Sequence, residues 1–235
     1  MNLAQGLERC RTFINTQLQS PANGLASAAE GGPWRAVTMS RQTGSGAHTV
    51  AEQLAARLQA LAAKDARPWT VFDRNLVEKV LEDHNLPQRL ARFMPEDKVS
   101  EIQDTMDELF GLHPSSWTLV RQTAETILRL VELGNVIVIG RGATLLTARL
   151  DHVFHVRLVG SLEKRVAHVQ ELNRLGKDAA LKLIRREDRG RQRYLKKHFK
   201  ADITDPLLYH LVINTDLVPC ETAARIIADA MLDRV

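Results

Sequence analysis

A short glycine loop in the first third of the chain has residue types and spacing that suit phosphate binding. It comprises Arg41, Gln42, Thr43, Gly44, Ser45, Gly46, Ala47, His48 and Thr49. Glycines let backbone N–H groups turn toward an anion, and a following helix N-terminus adds positive potential. The loop departs from the Walker A pattern, because Ala47 stands at the lysine position and Arg41 at the first glycine position. The alternative is an ordinary β–turn–α connection whose glycines only permit a tight turn.

Two charged residues, Asp73 and Arg74, come directly after a predicted strand over 69–72. Because the carboxyl ends of parallel strands meet at one edge of a sheet, we expect both side chains near the glycine loop. The alternative is that Asp73 only caps a predicted helix over 75–83.

A third polar group, Gly140, Arg141 and Gly142, follows an unbroken aliphatic strand over 135–139. The flanking glycines leave the arginine unobstructed, and a guanidinium can bind phosphate through two parallel hydrogen bonds. The alternative is a surface arginine in a tight turn.

The stretch from 177 to 200 is the most basic part of the chain and is predicted to be helical. It contains the arginines and lysines Arg185, Arg186, Arg189, Arg191, Arg193, Lys196 and Lys197, with Glu187 and Asp188 among them. Charge runs of this kind are usually solvated helix faces. The density of arginine favours a lid that faces phosphate.

The elements that must position these residues follow from hydrophobic periodicity. Strands are predicted over 35–39, 69–72, 135–139, 153–159 and 211–213, and helices lie between them. A short helix is predicted over 143–150, and Ser161 is placed to cap the helix after the fourth strand. Residues 75–133 contain no convincing strand and exceed a simple crossover, so part of them is predicted to form a helical subdomain.

Size and composition restrict the class of protein. The chain has 235 residues, 44% hydrophobic and 26% charged, which is typical of a soluble globular domain with or without an insertion. The net charge of +4 suits an anionic ligand at least as well as a nucleic acid. Cys10 and Cys220 are too few for a disulfide framework. We expect a cytoplasmic protein without a signal peptide or membrane span.

Together these pieces resemble the cytidylate kinase-like family of P-loop nucleoside monophosphate kinases over about residues 35–233. The resemblance rests on the order and spacing of short motifs: Ser40–Arg41–Gln42 before Gly44–Ser45–Gly46, Phe72–Asp73–Arg74, Gly140–Arg141–Gly142, Asp188–Arg189 with Arg193–Tyr194, and Tyr209 before Ile213–Asn214–Thr215. It implies an α/β fold with a five-stranded parallel sheet and helices on both faces. The implied organisation is an N-terminal helix and linker over 1–33 and a kinase-like domain over 34–235, with a helical monophosphate-binding insertion over 74–134 and a lid over 177–205.

The resemblance also implies a reaction, the transfer of the γ-phosphoryl group of ATP to CMP, dCMP or a related monophosphate, with Mg²⁺ bridging the ATP phosphates. ATP would contact the whole loop from Arg41 to Thr49, and Thr49 would also contact the metal. The acceptor would contact Asp73, Arg74, Gly140, Arg141 and Asp188. The cations that act on the transferring group would be Arg41, Arg141, Arg189 and Arg193.

Other functions remain open at the level of sequence. Because Ala47 replaces the Walker lysine, the chain could bind nucleotide without turning it over and report occupancy to a partner. Nucleic-acid binding through residues 185–197 is the weaker alternative, since aromatic residues make up only 5% of the chain and stacking platforms are scarce. The predicted helix over 3–19 could dock on its own domain or on a second copy of the chain, forming a homo-oligomer.

Overall fold

The computed structural model describes residues 34–63, 66–73, 118–140 and 142–232, together with Thr12, Ile102, Thr105 and Met106. The predictions for the helices over 3–19 and 75–83, for the linker, and for Arg74 and Arg141 therefore lie outside the described residues.

The core is a parallel sheet of five strands in the order β2-β3-β1-β4-β5. The strands are β1 (Ala36–Arg41), β2 (Thr70–Phe72), β3 (Val136–Ile139), β4 (Val153–Val159) and β5 (Leu211–Asn214). Every residue of β2 and β3 is buried, as expected for strands covered on both faces. The predicted α/β fold with a five-stranded parallel sheet is confirmed.

Helices cover both faces of this sheet. They are α1 (Ala47–Leu61), α2 (Thr118–Leu133), α3 (Ala143–Leu146), α4 (Leu162–Asn173), α5 (Lys177–Phe199) and α6 (Cys220–Leu232). Helices α1 and α6 bury their apolar faces against one side of the sheet, and α2 and α3 cover the other side. Ile102 and Met106 are buried in the layer beside α2 and belong to the core.

Local signals explain two boundaries of these helices. Ser161 caps α4 as predicted, because its hydroxyl accepts a hydrogen bond from the Lys164 N–H at 3.4 Å. Helix α3 is shorter than the predicted helix over 143–150, and this prediction is wrong in length. The helix ends where the Thr147 hydroxyl donates to the Ala143 carbonyl, and a turn then closes between Leu150 and Thr147.

The face of β1 and β4 that lies toward α3 becomes more polar along the strands. Ala36 pairs with Val153 at the amino end, Thr38 pairs with His155 in the middle, and Ser40 pairs with Arg157 at the carboxyl end. All of these side chains share one face because strand residues alternate. In the sheet, β2 and β3 lie on one side of β1, and β4 and β5 lie on the other, so the strand order reverses between β1 and β3. The polar end of this face lies at that reversal. Ligands of open α/β sheets bind in the crevice at such a point.

Candidate functional site

A cleft of about 390 Å³ lies at the carboxyl ends of β1 and β3. Ser40 and Arg41 of β1 form one wall, and Gly140 and Gly142 continue it after β3. Helix α5 covers the cleft, and the chain between α5 and β5 closes its far side. The residues that these two segments contribute include Arg186, Glu187, Arg191, Arg193, Tyr194, Ile203 and Tyr209.

The charged groups of this cleft are mainly cations. Among the described residues that line it, the charged side chains are four arginines, Arg41, Arg186, Arg191 and Arg193, and one carboxylate, Glu187. Guanidinium groups converging from β1 and from α5 create positive potential in the cleft. The cleft is therefore suited to a ligand with several negative charges.

Arg41 reaches across the end of the neighbouring strand. A Cβ atom added to Gly140 would lie 3.0 Å from the guanidinium carbon of Arg41 and closer still to one of its nitrogens. Gly140 also has a φ of +83°, in the left-handed region that favours glycine. Gly140 therefore leaves room for the arginine, which explains why a glycine follows β3 next to the glycine loop of β1.

The glycines of the loop make close contacts with neighbouring helices. A Cβ atom at Gly44 would lie 2.6 Å from the Arg165 carbonyl oxygen of α4, and one at Gly46 would lie 2.9 Å from the Cys220 sulfur of α6. Both glycines have positive φ angles, +86° and +77°. The tight-turn alternative thus accounts for the glycines themselves, and their predicted role in wrapping ATP phosphates stays a prediction.

Polar side chains fix the rest of the loop. Ser45 is buried and its hydroxyl donates to the Gln42 carbonyl at 2.8 Å. The Gln42 side-chain oxygen accepts from the Gly160 N–H at 2.9 Å, which ties the loop to the end of β4.

A carboxylate of α5 occupies the first part of the loop. Asp188 accepts hydrogen bonds from the N–H and the hydroxyl of Thr43 and pairs with Arg165 and Arg191. Arg191 also donates to the Thr43 hydroxyl, and Arg165 donates to the Thr43 carbonyl at 3.1 Å. This cluster places a negative group among one loop amide and two guanidinium groups, a set of donors that would suit a phosphate oxygen.

The residues at the start of α1 lie close to the end of β2. His48 and Asp73 are 3.6 Å apart, so Asp73 lies beside the loop as its place after β2 predicts. Burial lowers the pKa of His48, and the charge of Asp73 only partly offsets this. The imidazole is mostly neutral near pH 7 and is a poor replacement for a lysine.

Ala47 and Thr49 differ in their surroundings. Ala47 is only 7% exposed and packs in the apolar layer with α6. The Walker lysine position is therefore part of the core. Thr49 is exposed in the first turn of α1, within reach of solvent at the end of the loop.

The predicted arginines of α5 are not equivalent. Arg193 lines the cleft, whereas Arg189 is exposed and is not among the residues that line it. The Arg193 Nε donates to the Arg189 carbonyl at 3.4 Å. Arg141 follows Gly140 but lies outside the described residues, so its predicted place on the acceptor phosphate stays a prediction.

Sequence reasoning missed several residues of this region. Arg191 stands in the basic stretch but had no assigned role, although it links Thr43 to Asp188. Tyr209, which the sequence motif contains without an assigned role, lines the cleft, and Arg157 lies behind the cleft wall and donates to Ser40. The signal for Arg157 was available: a charged residue at an inward-facing position of a buried strand demands an explanation.

The site fits a phosphate ester better than it fits a metal held by protein alone. The arginines and the Thr43 cluster supply donors for anionic oxygens. No group of three or more His, Cys, Asp or Glu side chains converges within the described ranges. Mg²⁺ is usually held by one or two protein groups together with substrate phosphates, and the exposed Thr49 hydroxyl and the Asp73 carboxylate beside the loop have the oxygen ligands that this use needs. In the described part of the chain, no helix is both long and apolar enough to cross a bilayer.

The parallel sheet, with an arginine-rich cleft where its strand order reverses, defines a doubly wound α/β protein. The profile of the cytidylate kinase-like family matches residues 36–217, and the chain belongs to this family. This membership confirms the resemblance and indicates a nucleotide kinase-like function.

A solved structure shares the fold at low sequence identity, and another matches less well. A crystal structure of an uncharacterized protein from Eubacterium ventriosum ATCC 27560 superposes with a TM-score of 0.59 and 17% identity, over 85% of this chain and 99% of that chain. Shikimate kinase from Bacteroides thetaiotaomicron gives a TM-score of 0.46 and 14% identity, over 83% of this chain and 97% of that chain. No curated protein matches the sequence.

Proposed function

We propose that this chain is a nucleoside monophosphate kinase that transfers the γ-phosphoryl group of ATP to CMP, dCMP or a related monophosphate. The observation that carries the proposal is the cleft at the carboxyl ends of β1 and β3, with four arginines and one carboxylate among its lining residues. Membership of the cytidylate kinase-like family supports a nucleotide as the ligand.

Such a reaction asks the protein for alignment and charge neutralisation more than for covalent chemistry. Arg41 approaches from β1, while Arg191 and Arg193 approach from α5, so guanidinium groups lie on opposite walls of the cleft. Two polyanions held between these walls would have their mutual repulsion reduced. When bound, Mg²⁺ supplies further charge neutralisation on the ATP phosphates, and Thr49 is the residue proposed to contact it.

Helix α5 is proposed to act as the lid. It covers the cleft and carries most of the cations that line it, so its position controls the access of water to the transferring group. Arg189 is exposed on the same helix and would need to turn toward the cleft to contact the phosphoryl group. Arg141 is proposed for the acceptor phosphate.

A second candidate function is nucleotide binding without turnover. One observation favours it: Ala47 packs in the core where a Walker lysine would start. A lysine on the β- and γ-phosphates is a large electrostatic contribution to transfer, so its loss can lower the rate greatly while leaving binding intact.

One experiment separates these two candidates. The full chain is incubated with ATP and Mg²⁺ and with AMP, CMP, dCMP, GMP or UMP, and both ADP release and the melting temperature are measured. The kinase proposal expects ADP release that depends on both the monophosphate and Mg²⁺. Nucleotides that raise the melting temperature with no ADP release, while a control kinase works, would favour the binding module. If the full chain shows neither ADP release nor a higher melting temperature with any nucleotide, both candidates are contradicted.

A further inference from the structure

Arg157 is a buried arginine whose charge the functional site, as described so far, does not use. It lies in β4, is 5% exposed, and its Nη1 donates to the Ser40 hydroxyl oxygen at 2.7 Å. Its guanidinium carbon lies 5.6 Å from the centre of the Tyr209 ring. Among the described residues, no carboxylate forms an ion pair with it, in contrast to the buried Arg129, which pairs with Glu125 at 2.6 Å.

A buried guanidinium without a carboxylate partner is costly, because little water remains to solvate the charge. Asp202 is an acidic group whose pKa the charge of Arg157 lowers, and it is fully exposed. The pKa of Asp202 is lowered mainly by hydrogen bonds from Thr204, and Arg157 makes only the smallest contribution. The contact with the Tyr209 ring offsets part of the cost. An anionic ligand in the adjoining cleft would offset much more.

The hydrogen bonds around Ser40 determine where its own proton can go. The Ser40 oxygen accepts from Arg157, and the Tyr209 hydroxyl lies 3.2 Å away. Tyr209 also lies 2.9 Å from the Ile203 carbonyl oxygen, which can only accept, so the Tyr209 proton points there. The Tyr209 oxygen can then accept the Ser40 proton at 3.2 Å, and an anionic acceptor in the cleft would compete with it for that proton.

Ser40 and Tyr209 both line the cleft, next to Arg41 and Gly140. An acceptor placed in the cleft can thus receive the Ser40 proton, while Arg157 lies behind the serine. A donor polarised by a cation in this way makes a stronger hydrogen bond to an anion than an isolated hydroxyl does.

We propose that Ser40 donates a hydrogen bond to a phosphoryl oxygen of the acceptor monophosphate, and that Arg157 is the positioning residue that orients and polarises it. This inference rests on the proposed function and assigns the floor of the cleft to the phosphate monoester. Arg157 contributes its positive charge to the same group through Ser40 and without direct contact.

The test compares Ser40→Ala, Arg157→Met and Arg157→Lys with the parent protein. Binding of CMP, inorganic phosphate and ATP is measured by calorimetry, and kinetic constants are measured where turnover occurs. Loss of a hydrogen bond to a charged group is expected to weaken CMP and phosphate binding by about 10- to 100-fold, with a much smaller effect on ATP. Arg157→Lys is expected to recover part of this loss. The Ser40→Ala/Arg157→Met double variant is expected to lose little more than either single one.

The matched control is Arg129→Met, which removes another buried arginine from α2, outside the cleft. It is expected to lower the melting temperature without changing CMP affinity. If Arg157→Met does not fold, Ser40→Ala and Arg157→Lys still decide the question. Unchanged CMP and phosphate affinity in Ser40→Ala would overturn the inference, as would a parent protein that binds neither ligand. Binding that depends on Ser40 without ADP release would instead contradict only the kinase proposal.

Discussion

The carboxylate of Asp188 accepts two hydrogen bonds from Thr43, one from the backbone N–H and one from the hydroxyl, both at 2.8 Å. The same carboxylate pairs with Arg165 at 2.8 Å and Arg191 at 2.6 Å. Burial alone would raise the pKa of Asp188, but the hydrogen bonds from Thr43, Arg191 and Arg165 outweigh it and hold the pKa below its usual value. Asp188 is thus ionised at neutral pH and ties α5 to the glycine loop.

Asp188→Asn is expected to raise the affinity for ATP several-fold and to lower the stability of the protein. The carboxylate competes with nucleotide phosphate for Arg191 and the Thr43 N–H, and the amide is a weaker competitor. Losing charge-assisted hydrogen bonds should reduce the free energy of unfolding by about 1–3 kcal/mol. Calorimetric ATP titration and urea denaturation measure the two effects.

Asp229→Asn is the control for removing a carboxylate, since Asp229 forms only surface ion pairs with Arg57 and Arg225 among the described residues. It is expected to change the free energy of unfolding by less than about 1 kcal/mol and to leave ATP binding as it was. A drop in ATP affinity in Asp188→Asn would show that the carboxylate helps to hold nucleotide and does not compete with it.

The fold was accessible from sequence because its signals are local. Short β-branched runs such as 136–139 are typical of buried strands, and the Ser161 cap is a short-range hydrogen bond. The predicted helix over 143–150 was too long because the chain turns after Thr147, where the Leu150 N–H donates to the Thr147 carbonyl at 3.0 Å, and the apolar periodicity has no signal for this turn.

The site was harder to predict because its contacts join distant parts of the chain. Asp188 meets Thr43 across 145 residues, and Arg157 meets Ser40 across 117. Motif order placed Asp73 and Gly140 at the correct edge of the sheet. Helix α5 carries cations on several faces, and motif order does not indicate which of its arginines line the cleft. Arg191 was missed for this reason.

Gly140→Ala is expected to weaken ATP or acceptor binding and to destabilise the fold. A methyl group would occupy the space of the Arg41 guanidinium, and alanine at a φ of +83° is strained, which costs about 1–2 kcal/mol. Gly176→Ala is the matched control, because Gly176 has no neighbour within 4 Å of an added Cβ and no positive φ. Thermal melts and nucleotide titrations that did not distinguish the two variants would contradict this role of Gly140.

Arg41→Ala is expected to affect mainly ATP, and Arg141→Ala is expected to affect mainly the acceptor monophosphate. Arg41 lies next to the glycine loop, so its loss should weaken ATP binding more than acceptor binding. Arg141 follows the third strand, and its loss should raise the KM for the monophosphate more than that for ATP. Each deletion of a charged hydrogen bond should cost about 1.5–3 kcal/mol in kcat/KM for the affected substrate. Equal effects of both variants on both substrates would contradict this assignment of sides.

His155→Gln is expected to make the protein less sensitive to acid. Burial, together with the charge of His210, lowers the pKa of His155 to about 4, from 6.5 in the unfolded chain. Between these values the unfolded chain binds a proton that the folded protein excludes, so the free energy of unfolding falls as the pH drops. The full loss is about 3 kcal/mol.

The parent protein should therefore lose stability steadily from pH 6.5 toward pH 4, and His155→Gln should lose less over the same range. Glutamine can replace the ring nitrogen that lies 2.7 Å from the Thr38 hydroxyl, so the link from β4 through Thr38 to Thr144 of α3 is retained. Urea denaturation at several pH values measures both slopes. His48 is present in both proteins, and the difference between the slopes reports His155 together with its electrostatic coupling to His210. Two results would contradict this prediction: the free energy of unfolding could change equally with pH in both proteins, or NMR could show the His155 ring titrating near pH 6.5. Either result would show that the imidazole is solvated and that α3 is not held by a neutral histidine.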